Sequence, residues 1–99
     1  MNIIREKNDQ ELTLCVEGEI NSATAGELEE VIKNELSEVK SLIFDFAKLE
    51  YLSSAGLRVL LVAQKIMQKK GQMVIRHVNK GVSDIFQITG FYNVLNIED

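Results

Sequence analysis

Few side chains in this sequence have the chemistry of a reaction site, and the best placed are two neighbouring hydroxyls, Ser53 and Ser54, in the run Tyr51-Leu52-Ser53-Ser54-Ala55-Gly56-Leu57-Arg58. They fall where a buried strand pattern gives way to helical spacing: Phe44, Phe46 and Leu49 precede them, and Leu57, Val59, Leu60, Leu61, Val62 and Ala63 follow. A hydroxyl at such a junction ordinarily caps the helix, accepting a hydrogen bond from one of its first free backbone N–H groups. The same place tolerates a phosphate well, because unpaired N–H groups and the positive end of the helix dipole converge there. A cap uses one hydroxyl, and this junction has two.

The remaining reactive residue types are isolated. Cys15 is the sole cysteine, so no intrachain disulfide and no thiol metal cluster can form, and the sole histidine, His77, cannot build a zinc site. Cys15 lies within a strand pattern whose neighbours, Thr13 to Glu17, offer no cation to activate a thiol. Asp45 interrupts an apolar run and is expected at the end of a strand, bonded to backbone N–H groups of the next loop. Glu27, Glu29 and Glu30 read as a solvated helix face, since paired-carboxylate catalysis needs a convergence that helix spacing alone does not supply. With no glycine-rich phosphate loop, no nucleophile beside a base and no metal set, the residues argue against an enzyme and against a cofactor.

With 99 residues, 45% of them hydrophobic and 26% charged, residues 1–99 form one domain with a single core. A net charge of -4 and a pI near 5.0 argue against nucleic-acid binding by phosphate neutralisation. Lys65, Lys69 and Lys70 form the only local basic cluster. No stretch reaches the roughly 18 apolar residues of a membrane span, and the N-terminus lacks a signal-like apolar segment. The expected setting is the cytoplasm, away from membranes.

The elements that must position the serines follow from periodicity. Strands are expected at Ile3 to Glu6 and around Leu12, Leu14 and Val16, with Asn8-Asp9-Gln10 as the turn between them. Asn21, Ser22 or Thr24 can cap the helix that follows, and Thr24 with Glu27 fits a capping box. That helix keeps Leu28, Val31, Ile32, Leu36 and Val39 on one side and turns Glu27, Glu30, Lys33 and Asn34 outward. Residues 41–46 read as an interior parallel strand. The helix opened by the serine pair closes at Lys69-Lys70-Gly71; a strand over Met73, Val74, Ile75 and Val78 follows, then a helix from Gly81 to Thr89 stopped by Gly90. Phe91, Val94, Leu95 and Ile97 pack the tail. Helical crossovers between strands predict an α/β fold: a mixed central β-sheet with helices mainly on one face.

Taken together, Gly18-Glu19-Ile20, Phe44-Asp45-Phe46, Leu52-Ser53-Ser54-Ala55-Gly56-Leu57 and Ile88-Thr89-Gly90-Phe91 resemble the anti-sigma factor antagonists of the STAS domain family over essentially the whole chain. The resemblance implies a single STAS-type domain carrying a phosphorylatable serine at the start of the second helix. It implies as partners an anti-sigma factor that is also a serine kinase, of the histidine-kinase-like ATPase type, and a PP2C-type serine phosphatase. The unphosphorylated antagonist would bind the kinase and release what the kinase was holding. Many relatives read Asp-Ser-Ser-Gly or Asp-Ser-Thr-Gly here. Alignment on Gly56 puts Ser53 at the family's Asp, Ser54 at the first hydroxyl and Ala55 at the second, so Ser54 is the expected phosphosite and Ser53 the runner-up. Asn21 stands where relatives often carry Asp after Gly-Glu-Ile, which would weaken any part that carboxylate plays in placing the kinase's nucleotide or magnesium.

Helical spacing of about 100° per residue independently puts Ser54, Arg58, Val62, Lys65 and Lys69 on one water-facing stripe. Val62, with Leu61 beside it, forms an apolar contact in a charged frame, as a docking patch requires. Together with the resemblance, this makes the expected partner surface Asn21, Ser22 and Thr24, before the first helix, with Ser53, Ser54, Gly56, Leu57, Arg58, Leu61, Val62 and Lys65. The competing reading is a STAS interaction module of a transporter or signalling scaffold that is never phosphorylated.

Overall fold

The computed structural model describes residues 1–98. In chain order the elements are β1 (Asn2–Asn8), β2 (Glu11–Ile20), α1 (Ala25–Glu35), β3 (Ser41–Asp45), β4 (Leu49–Leu52), α2 (Ser54–Gln68), β5 (Gln72–Arg76) and α3 (Lys80–Thr89), followed by a 3-10 turn at Phe91–Asn93. The main sheet runs β1-β2-β3-β5, antiparallel between β1 and β2 and parallel thereafter. This is the expected mixed sheet, with β1 longer at both ends than the alternation had suggested.

β2 shows why the register is fixed. Leu12, Leu14, Val16 and Ile20 are buried while Thr13, Cys15 and Glu17 are half-buried on the other face, so a one-residue slip would turn the whole apolar set outward. The buried face joins Leu42 and Phe44 of β3 and Ile75 of β5 to one cluster with Leu28 and Ile32 of α1, Leu60 and Ala63 of α2, and Val82 and Phe86 of α3. At the far edge, Ile75 bonds to the backbone of Asn96 and Glu98, so the tail closes the β5 side of the sheet.

One element escaped the sequence reading. β4 pairs in parallel with the end of β2, beyond Gly18, where β3 has already stopped. Its buried residues, Leu49 and Leu52, stand three apart with Glu50 and Tyr51 exposed between them. That spacing is not the period-2 alternation of a strand. It arises because the register shifts between Gly18 and Glu19: Leu49 faces Gly18 but Tyr51 faces Glu19, leaving Glu50 as the extra residue. Gly18 has φ +93, a conformation that favours glycine.

Several element boundaries also differ from expectation. α1 ends at Glu35, so Leu36 is its C-cap and Val39, expected on the helix, is buried from the loop beyond it. Thr24 precedes α1 but its side chain does not cap it, so the expected Thr24–Glu27 capping box is absent. Val78, expected in the last strand, lies in the loop beyond β5, where His77 takes φ 62 and breaks the extended backbone. α3 begins one residue earlier than expected, capped by Asn79 and ended by Gly90 at φ 78.

Candidate functional site

The β4–α2 junction gives its two serines different environments. Ser53 is the N-cap, with extended backbone at φ -91 and ψ 177. Its N–H donates to the Ile20 carbonyl at 2.8 Å, its carbonyl accepts from the Leu57 N–H at 3.0 Å, and its Oγ accepts from the Gly56 N–H at 3.5 Å. Ser53 is thus half-buried and held at three points. Ser54 is the first residue of α2, exposed, and its hydroxyl makes no hydrogen bond among the described residues. The first turn of α2 carries no acidic side chain to offset the dipole at its N-terminus.

Gly56 and Leu57, expected on the contact surface, face inward instead. A Cβ on Gly56 would lie 2.4 Å from Leu52 Cδ1 and 2.8 Å from Ile20 Cγ2, so the helix start rests on β2 and β4 because this residue has no side chain. Leu57 is 7% exposed and belongs to the core cluster. Both support the junction from beneath. The outer side of α2 keeps Arg58 and Lys65 exposed and Leu61 and Val62 half-buried, so Val62 is less open than a fully water-facing stripe would make it.

The loop before α1 is brought alongside by the ladder pair Ile20 and Leu52 and by the bond from Ser53 to Ile20. Asn21 organises it: its Oδ1 accepts from the N–H groups of Ala23 at 2.9 Å and Thr24 at 3.1 Å, and its Nδ2 donates to Glu19 Oε1 at 3.5 Å. Thr24 Oγ1 donates to the Glu19 carbonyl at 3.0 Å and accepts from the Asn21 N–H at 2.9 Å. Asn21 and Thr24 therefore hold the loop, while Ser22 is exposed. The Asn21 amide does from its side chain the turn chemistry that a short carboxylate does elsewhere.

A second feature had no local signal in the sequence, because its members lie 32 residues apart. His77 Nδ1 is 3.0 Å from Asp45 Oδ1, and that oxygen also accepts from the Ala47 N–H at 3.0 Å. The second bond is the one expected of Asp45; the first ties the loop after β3 to the loop after β5. Burial raises the Asp45 carboxyl's pKa, but the hydrogen bonds from His77 and Ala47, with the positive charges of His77 and Arg76, outweigh it and leave the carboxyl below its ordinary value. Beside it, an open cleft of about 180 Å³ is lined by Ile4, Glu6, Cys15, Glu17, Asp45 and Lys48, among others. Burial pushes the Cys15 thiol up, and Asp45, Glu6 and Glu17 push it further. It is a poor nucleophile. Sequence reading also missed Tyr51, 48% exposed and paired with Glu19 in the ladder leading to the site.

Chemically, this arrangement presents an exposed, unbonded hydroxyl at a helix N-terminus. Among the described residues Ser54 has no base bonded to it, and no group of three or more His, Cys, Asp or Glu side chains is placed to hold a metal ion. Among the same residues no helix is long and apolar enough to cross a membrane.

Comparison with known proteins is consistent with this geometry. The chain is 34% identical over 99 residues to Bordetella bronchiseptica BtrV, provisionally named an anti-sigma factor antagonist, covering 98% of this chain and 85% of that protein. A crystal structure of an anti-sigma factor antagonist from Mycobacterium paratuberculosis superposes with a TM-score of 0.88 at 23% identity, covering 97% of this chain and 83% of that one. The Bacillus cell fate determinant SpoIIAA in its phosphorylated form has the same fold, with a TM-score of 0.77 at 15% identity, covering 99% of this chain and 92% of that one. The STAS domain model matches residues 2–99, and the chain belongs to the STAS domain family.

Proposed function

We propose that this protein is an anti-sigma factor antagonist switched by phosphorylation at Ser54. The observation that carries the reading is the contrast at the junction: Ser53 is used up as the helix cap, while Ser54, one residue on, is exposed and free of hydrogen bonds among the described residues. In the unmodified state the loop of Asn21 and Ser22 and the outer side of α2, with Ser54, Arg58, Leu61, Val62 and Lys65, form the docking surface. Its partner is an anti-sigma factor with serine kinase activity, of the histidine-kinase-like ATPase type, acting in the cytoplasm. Binding releases the factor which that partner holds.

The kinase transfers the γ-phosphoryl group of ATP: a bond forms between Ser54 Oγ and phosphorus, the bond to ADP breaks, and the hydroxyl proton leaves. A PP2C-type phosphatase restores the hydroxyl by hydrolysis. The phosphate adds about -1.5 to -2 charge with its hydration shell at the rim of the surface, where a closing interface would have to strip it. The fold need not change, since a helix N-terminus accommodates an anion.

The test is incubation with the cognate kinase, ATP and magnesium, read by intact mass and peptide mapping. One phosphate is expected, on Ser54, and S54A should take up none. Equal incorporation into S54A would overturn the assignment, and modification of Ser53 alone would move the acceptor by one residue.

A further inference from the structure

Although the chain carries a net charge of -4, α2 contains no Asp or Glu from Ser54 to Gln68. Its outward cations are also grouped and unpaired. Of the other basic side chains, Arg5, Lys33, Lys48, Arg76 and Lys80 each have a carboxylate within 4.0 Å, Lys70 donates to the Leu36 and Ser37 carbonyls at the end of α1, and Lys7 on β1 and Lys40 before β3 are unpaired among the described residues but stand singly on separate elements. Arg58, Lys65 and Lys69, all exposed on or just beyond α2, make no ion pair among the described residues. Half-buried Leu61 and Val62 lie between them. A row of uncompensated cations around an apolar pair, on an acidic protein, is complementary to an acidic surface with an apolar ridge.

Arg58 follows Ser54 by four residues. Side chains so spaced lie on one face of a helix with Cβ atoms about 5–6 Å apart, and an anion four residues before a cation is the favourable orientation. The planar guanidinium pairs with phosphate through two parallel N–H bonds. Lys65, eleven residues on, is about 16 Å further along the axis and out of reach.

Resting on Ser54 as the modified residue, we propose that Arg58 is the second half of the switch: free, it is offered to an acidic partner surface, and after phosphorylation the Ser54 phosphate captures it. The modification then acts twice on the same interface. It places negative charge where the partner is acidic, and it withdraws the cation nearest that charge. Lys65 and Lys69 remain exposed in both states, so a weak salt-sensitive attraction survives while the close contact is lost.

The capture can be read without the partner, on protein carrying phosphoserine at position 54. Titration of the phosphate by 31P NMR should give a second ionisation lower by roughly 0.3 pH unit or more in the wild type than in R58Q, from the usual worth of such helix pairs. R58K should keep most of the difference, and 0.5 M NaCl should shrink it by screening. The helix dipole acts on both proteins alike, so the difference isolates Arg58. Identical titrations of wild type and R58Q would overturn the capture. In the unmodified protein R58Q should bind the kinase several-fold more weakly at low salt and with a shallower salt dependence; unchanged affinity would overturn the acidic-partner half. Equal kinase affinities for wild type with and without the phosphate, alongside an intact 31P shift, would instead remove the partner-switching role and leave the capture standing.

Discussion

Along α2, Leu57, Leu60, Ala63 and Met67 point into a core where none is more than 7% exposed, whereas Ser54, Arg58 and Lys65 on the other side of the same helix meet solvent. The inner side is specified by shape: Gly56 lies against Ile20 and Leu52 with no room for a methyl group. On the outer side Leu61 and Val62 are half-buried, while the serine is unbonded and the cations unpaired among the described residues. One helix thus separates what folds the protein from what another protein can read. A charge added outside can therefore change binding with little effect on stability.

The strongest way to break this contrast is to exchange the two sides. L60A removes a fully buried side chain and should lower unfolding stability by about 2–5 kcal/mol in denaturant titration, while V62E, on the half-buried outer side, should cost under about 1 kcal/mol and weaken kinase binding. Comparable losses for both would show that Val62 is core. G56V should cost about 1–3 kcal/mol by overpacking against Leu52 and Ile20.

A middle-sized effect tests the support beneath the junction. Asn79 caps α3 by accepting from the Val82 N–H at 2.8 Å, and its Nδ2 also donates to the Leu49 carbonyl at 2.7 Å, anchoring β4 to the start of that helix. N79A should cost about 1–2 kcal/mol. Asp45 supports the same region from the other loop. Because its folded pKa is depressed, its contribution is present above the unfolded value, about 3.9, and is lost as pH falls through the lowered folded value. D45N should therefore be less stable than wild type at pH 7, with the gap closing in the acid range below about pH 4. A gap that persisted at pH 2 would mean that the loss comes from packing and not from charge.

The smallest differences lie between the adjacent serines. S53A should cost about 0.5–1 kcal/mol, the low end for a cap because the bond to Gly56 is long. S54A should be nearly neutral, and S54D slightly stabilising through the helix dipole. A reversed order in thermal unfolding would exchange the roles of the two hydroxyls.

Much of the fold was legible because its signals are local. The alternation in β2, the continuous apolar run of β3 and the stop at Gly90 each state their element in a few residues, and Ser53 announced its cap by position. What stayed hidden depends on partners distant in sequence. β4 lacks alternation because a bulge opposite Gly18 removes it, and the Asp45–His77 pair joins residues that only the parallel register of β3 and β5 brings together. At the candidate site, helical spacing put Ser54, Arg58 and Lys65 on one side of α2, where they are exposed, while the motif added Gly56 and Leu57, which are buried, because a motif marks residues that build a site as readily as residues that touch a partner. Thr24 misled for a related reason: its spacing to Glu27 suits a capping box, but its hydroxyl is engaged with the Glu19 and Asn21 backbone.

The central claim is that one phosphate on the free serine closes the docking surface while leaving the fold intact. The most direct measurement is titration calorimetry of the cognate kinase with unmodified protein and with protein carrying phosphoserine at position 54, with unfolding midpoints recorded on the same two samples. The account predicts at least tenfold weaker binding of the phosphoprotein, about 1.4 kcal/mol or more, with nearly coincident unfolding curves. Equal affinities for the two forms would contradict it, as would a loss of binding accompanied by a comparable loss of folding stability.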